Sequence, residues 1–106
     1  MIPLEIHPGA KAEFDEIHTL LRAEDSELAA KFARCVEENI LLICDNPLLF
    51  HERRFTVRRS NLRPQFGEYY IAFILWRETV AILAVAHAKR RPFYYRERIG
   101  EARRMF

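Results

Sequence analysis

Two neighbouring stretches, Tyr69 to Trp76 and Thr79 to His87, are almost continuously apolar, rich in β-branched and aromatic residues, and separated only by Arg77-Glu78. Runs of that kind at that spacing predict a β-hairpin. Because successive side chains of a strand point to opposite faces, Tyr69, Ile71, Phe73 and Leu75 fall on one side and Tyr70, Ala72, Ile74 and Trp76 on the other. Neither set can be left as a bare apolar surface, so this hairpin must be covered twice. Arg-Glu is a poor pair for a two-residue primed turn, and the spacing predicts a turn longer by a residue or two.

The chain before the hairpin supplies one cover. Leu4-Glu5-Ile6 is a short alternating segment closed by His7-Pro8-Gly9, which suits a brief first strand. From Pro8, the apolar positions Ala10, Phe14, Ile17 and Leu21 recur at helical spacing, with Lys11, Asp15, His18 and Arg22 turned elsewhere. His18 reads as a solvated surface residue. After a break at Ala23 to Ser26, where Asp25 or Ser26 can cap, a second helix carries Ala29, Phe32, Ala33, Val36, Ile40 and Ile43 on one stripe. Asn46-Pro47 ends it, since the residue before proline is disfavoured in a helix. Phe55 and Val57 then alternate with Arg54, Thr56 and Arg58, which predicts a strand with a basic open face. The second face of the hairpin falls either to the C-terminal segment, which turns at Pro92 and ends in a short helix, or to another chain. The whole is an α+β domain, a helical hairpin on a small twisted antiparallel sheet, with all of residues 1–106 in one domain.

Charge divides the chain in two. Residues 1–50 hold four Lys/Arg against ten Asp/Glu, net −6, and residues 51–106 hold thirteen against five, net +8. Either a polyanion or acidic partner meets the basic half, or the two halves neutralise each other in the fold. Cys35 and Cys44, nine positions apart on one helix, point to opposite faces, and they read as small core residues rather than as a disulfide. With no CxxC pair and with His7, His18, His51 and His87 scattered singly, no metal site is expected. Three glycines give no nucleotide-binding loop, and no cofactor is expected. No apolar run reaches the length of a membrane span, and a cytoplasmic protein without membrane contact is the expectation.

What remains is a set of cations and aromatic rings: Arg58 and Arg59 on one strand, His87 at the end of another, and Lys89, Arg90, Arg91, Tyr94, Tyr95, Arg96 and Arg98 beyond it. An antiparallel sheet is expected to gather them at one edge.

At these residues the chain resembles the RelE/ParE superfamily of toxins from bacterial type II toxin–antitoxin pairs, some of which act in plasmid stabilisation. The likeness runs through the helical hairpin ending in Asn46-Pro47, the basic segment Val57 to Leu62, the strand Tyr69 to Phe73 and, most specifically, Ile82 to Ile99. The resemblance implies a cognate antitoxin as partner, a toxin–antitoxin hetero-oligomer, and one of two targets. RelE-like members cut messenger RNA on the ribosome without a metal, whereas ParE-like members poison DNA gyrase. For cleavage the likeness nominates His87, Arg90 and Tyr95 as catalytic, with Arg58, Arg59, Lys89, Arg91, Tyr94, Arg96 and Arg98 holding the target. In the RNase branch an arginine usually follows the first tyrosine of the Tyr69-Tyr70 strand, and here Tyr70 stands there. That departure favours the gyrase poison, with the RNase, or an inactive member that only binds antitoxin, as alternatives.

Overall fold

A computed structural model describes residues 1–106. The order along the chain is β1 (Leu4–Ile6), α1 (Pro8–Glu24), α2 (Ser26–Asp45), β2 (Arg58–Leu62), β3 (Phe66–Trp76), β4 (Thr79–His87) and α3 (Glu97–Met105). The four strands form one sheet in the order β1-β4-β3-β2. β2, β3 and β4 are antiparallel, as their pattern predicts, while β1 adds at the outer edge parallel to β4, with Leu4, Glu5 and Ile6 opposite Val80, Ala81 and Ile82.

Local chemistry fixes the helix ends. The Asp25 carboxylate accepts the Glu27 N–H at 2.9 Å and caps α2, and the helix stops at Asn46 before Pro47. α1 begins with a histidine cap: the His7 Nδ1 accepts the Gly9 N–H at 2.9 Å. His18 is half-buried and stacks against Phe14 at 5.7 Å, so it is less solvated than its position suggests.

The sheet is covered on both faces. On one, Phe32, Val36 and Ile43 of α2 and Ala10 of α1 pack against Ile71, Phe73, Val80, Ile82 and Val85. On the other, Tyr95, Ile99 and Ala102 lie against Tyr70, Ala72, Ile74, Ala81 and Leu83. The chain's own tail therefore supplies the second cover. Ala72, Ala81, Ala84 and Ala86 leave room for α3 to approach, which explains why β4 reads as apolar but small. Cys44 is buried in the first core, Cys35 packs at its margin, and burial pushes both free thiols up.

Two local expectations are corrected. The β3–β4 connection is two residues and no longer, since Trp76 pairs directly with Thr79. Arg77 and Glu78 take left-handed backbone angles, φ 51° and 63°, because a primed turn matches the twist of two long strands better than the residues themselves prefer. The basic strand also starts later. Residues Arg54–Thr56 form a tight 3-10 turn with Phe55 at φ 60°, and pairing begins only at Arg58. The face opposite Val57 is not open either: Arg58 shares its side of the sheet with Phe73, where the loop after α2 covers it.

Candidate functional site

The basic, aromatic tail does not gather at a single edge. It separates into three groups, each held by a different part of the fold.

The first group converges on a carboxylate that the sequence pattern leaves in α1. Glu13, 9% exposed, lies between Ala10 and Ile17 at helical spacing, so its side chain is carried inward with the apolar stripe. Its Oε1 accepts the Val85 N–H at 3.2 Å and an Arg98 N–H at 2.8 Å. Oε2 accepts Arg90 at 3.1 Å and the Tyr94 hydroxyl at 2.5 Å. Both oxygens are thus fully used, by two guanidinium groups, a phenol and a backbone amide. Arg98 also donates to the Leu83 carbonyl at 3.0 Å, and its guanidinium passes so close over Gly9 that an added Cβ would sit 2.6 Å from Cζ. Burial, then the Glu13 hydrogen bond and charge, push the Tyr94 phenol up, so it stays a donor. A parallel tie joins the His7 Nε2 to Glu101 of α3 at 2.9 Å.

The second group lies on the face that α3 covers. The Arg59 guanidinium sits 3.6 Å above the Tyr70 ring, and Tyr70 meets Tyr95 edge-on with centroids 6.5 Å apart. Tyr95 is 2% exposed, and burial followed by the neighbouring Tyr70 pushes its phenol up. Arg58, one residue away in sequence, points to the opposite face, where it donates to the Phe50 carbonyl at 2.6 Å and pairs with Glu52 at 3.7 Å.

The third group is on the surface. Lys89, Arg91 and Arg96 are exposed, and Arg91 and Arg96 line a cleft of about 470 Å³ with Arg54, Phe55, Phe93 and Tyr94. Phe55 and Phe93 meet edge to face at 5.4 Å, and Arg96 lies over the Phe55 ring at 4.3 Å. Phe55, Thr56 and Phe93 all have left-handed backbones, φ 60°, 65° and 57°, a strain on the order of 1–3 kcal/mol per residue. Nothing in the sequence pattern marks Phe55, Phe93 or Arg54 as parts of one surface; only the turn geometry brings them together.

His87 stands between the first and third groups. Its Nδ1 accepts the Lys89 N–H at 3.0 Å, which leaves the proton of the neutral ring on Nε2, and its ring meets Tyr69 edge-on at 5.0 Å. With Arg90, Glu13 and Tyr69 it lines a shallow cleft of about 190 Å³. The structure thus brings His87 and Arg90 to one cleft and leaves Tyr95 buried on the other side of the sheet.

A different surface went unmarked in the sequence. Between the helical hairpin and the β1 edge runs an apolar groove of about 460 Å³, lined by Leu4, Ile6, Ala10, Phe14, Val36 and Ile82 and rimmed by Lys11 and Glu37. Leu4, Ile6 and Leu41 remain 37–48% exposed there. The signal was present in Leu4 and Ile6, two apolar residues of a three-residue edge strand with nothing outside them. No helix is long and apolar enough to cross a membrane.

With this geometry in place, comparison with known proteins gives one finding. Residues 4–92 match the family described as ParE toxin of type II toxin-antitoxin system, parDE. No curated protein matches the chain.

Proposed function

Because the chain belongs to the ParE toxin family of type II toxin–antitoxin systems, we propose that it stops growth as a protein ligand of DNA gyrase and not as a ribonuclease. A cognate antitoxin follows from the family. The observation that carries the choice is the engagement of the groups cleavage would need. Tyr95 is 2% exposed, Tyr94 and Arg90 are hydrogen-bonded to Glu13, and position 70 holds a tyrosine under Arg59. Metal-free cleavage of RNA asks for an accessible acid or base beside cations free to meet the phosphate. The cations of the tail that are exposed and make no ion pair are instead Lys89, Arg91 and Arg96, in the segment between β4 and α3, where an acidic protein surface can reach them.

The apolar groove is the surface on which the antitoxin acts. Its length of exposed leucine and isoleucine beside an unpaired strand edge suits an amphipathic segment laid along α1 and α2. Leu41→Glu on its rim is expected to weaken rescue by the antitoxin while leaving growth arrest by the toxin alone intact.

Purified chain added to gyrase and relaxed plasmid tests the target. Inhibited supercoiling with trapped cleaved DNA is the expected result; translation arrest with cut messenger and unaffected gyrase would reverse the choice. The ribonuclease reading draws on one observation, the shared cleft of His87 and Arg90. It requires that His87→Ala abolish arrest. Absence of any arrest on induction would leave the chain as a binding module for its antitoxin alone.

A further inference from the structure

We infer that the cleft between α2 and the turn joining β2 to β3 is a binding site for a small phosphate-bearing molecule. The inference is independent of the choice of target, and it uses none of the residues given above to gyrase or to the antitoxin.

The cleft, of about 240 Å³, lies between Lys31, Arg34, Glu38 and Asn39 of α2 and Arg63 of the turn. At 100° per residue, Cys35 and Asn39 on its wall stand on the opposite side of α2 from Ala33 and Glu37, which line the apolar groove. The two surfaces are therefore separate.

Its cations have no partners of their own. Residues 1–50 hold only four Lys/Arg against ten Asp/Glu, yet two of the four, Lys31 and Arg34, are brought to this cleft to face a third cation from another element. None of the ion pairs of the chain includes Arg34 or Arg63, and Lys31 reaches only Glu27, at 4.0 Å. Arg34 does not pair even with Glu38, four residues on, the ordinary partner of an arginine on a helix. The guanidinium hydrogen bonds of the chain are made by Arg58, Arg90 and Arg98 instead. Like charges gathered in a concave site repel one another and draw in an anion.

The base of the cleft is fixed. Asn39 Oδ1 accepts the Ser60 hydroxyl at 2.8 Å, and its Nδ2 donates to the Cys35 carbonyl at 2.8 Å, so α2 and β2 are tied together at this point. Ser60 and Phe66, the latter part of the cleft wall, are 3% and 4% exposed. The long cationic side chains thus rise from elements that do not move apart.

Charge and size select the ligand. Three cations against the single acid Glu38 leave a net charge of +2. A phosphate monoester carries about −1.5 to −2 at neutral pH, whereas one carboxylate would leave half of the excess unmet. Guanidinium forks also match phosphate oxygens two at a time. The cleft is smaller than the roughly 300–1,000 Å³ usual for drug-sized ligands, so it takes in a phosphate group with a small substituent.

The test is isothermal titration calorimetry of the purified chain in chloride buffer with inorganic phosphate, glycerol phosphate and succinate at matched ionic strength. One phosphate-bearing molecule per chain is expected to bind. Tighter glycerol phosphate points to an ester of a small metabolite as the natural source, and tighter inorganic phosphate to the free ion. Arg34→Gln with Arg63→Gln is expected to weaken binding at least about tenfold. Both side chains are exposed, so this variant should melt like the parent in chloride and lose the rise in melting temperature that phosphate gives the parent. Arg22→Gln with Arg104→Gln, an equal loss of exposed charge outside the cleft, should leave the affinity unchanged. Affinity for glycerol phosphate should also fall as the pH is lowered through about 6, where the dianion takes up a proton. No saturable binding, unchanged affinity in the cleft variant, an equal loss in the control variant, or succinate bound as tightly as phosphate would overturn the inference. A phosphoserine peptide bound more tightly than glycerol phosphate would overturn the assignment to a small molecule. Neither gyrase nor antitoxin is present, so the outcome does not depend on whether supercoiling is inhibited.

Discussion

Arg90 and Arg98 differ from Arg91 and Arg96 by a residue or two in sequence, yet the two pairs serve opposite ends. The first pair closes on a buried glutamate of α1, fixes the turn after β4 and carries α3 onto the sheet. The second pair projects from the same turn, exposed and without an ion pair. A basic tail in a sequence is therefore not one surface. Where a chain must return to cover its own sheet, part of its charge becomes structural, and only the remainder is available to a partner.

The largest effect that would break this contrast is expected at Glu13. Glu13→Ala leaves two arginines and the Val85 amide without their acceptor, and it should cost about 3 kcal/mol, read as a shift of the urea midpoint at constant slope. Replacing Arg34, which pairs with nothing, provides the baseline.

Alkali probes the same half of the contrast. The Tyr94 and Tyr95 phenols are both raised in the fold, so above about pH 10 the unfolded chain releases protons that the folded chain keeps. The unfolded state then binds fewer protons, and stability falls as pH rises. The expected slope is about 1.4 kcal/mol per pH unit for each tyrosine, until the folded phenol itself titrates. Unfolding midpoints measured from pH 9 upward should fall less steeply in Tyr95→Phe.

Gly9→Ala sharpens the picture at a smaller scale. The new methyl would meet the Arg98 guanidinium, which its bonds to Glu13 and Leu83 do not let swing freely. A loss of about 1–2 kcal/mol is expected, and Arg98→Ala should reduce that penalty in a double-mutant cycle. The smallest effect belongs to the other pair: Arg91→Gln and Arg96→Gln should each alter stability by less than about 0.5 kcal/mol.

Much of this fold was legible because it rests on local pattern. Period 3.6 marked α1 and α2, Asp25 and Pro47 marked the bounds of α2, and two uninterrupted β-rich runs marked the central strands. The need for two covers followed from the same runs, although only the structure shows that the tail supplies the second. What escaped was set by distant contacts. Glu13 was visible as an acid on an apolar stripe, but its four partners lie 72 to 85 positions away. Arg58 and Arg59 read as one basic patch, whereas the strand's alternation sends them to opposite faces. The Arg77-Glu78 turn defied its residues because register between long strands outweighs local preference.

The division of the tail into a structural half and a free half is tested most directly by one paired readout on the chain carrying Arg91→Gln and Arg96→Gln: its melting temperature, and growth after its induction without antitoxin. The account predicts an unchanged melt and a culture that keeps dividing. Arrest as complete as that of the unmodified chain, from a protein just as stable, would show that these two arginines do not carry the function.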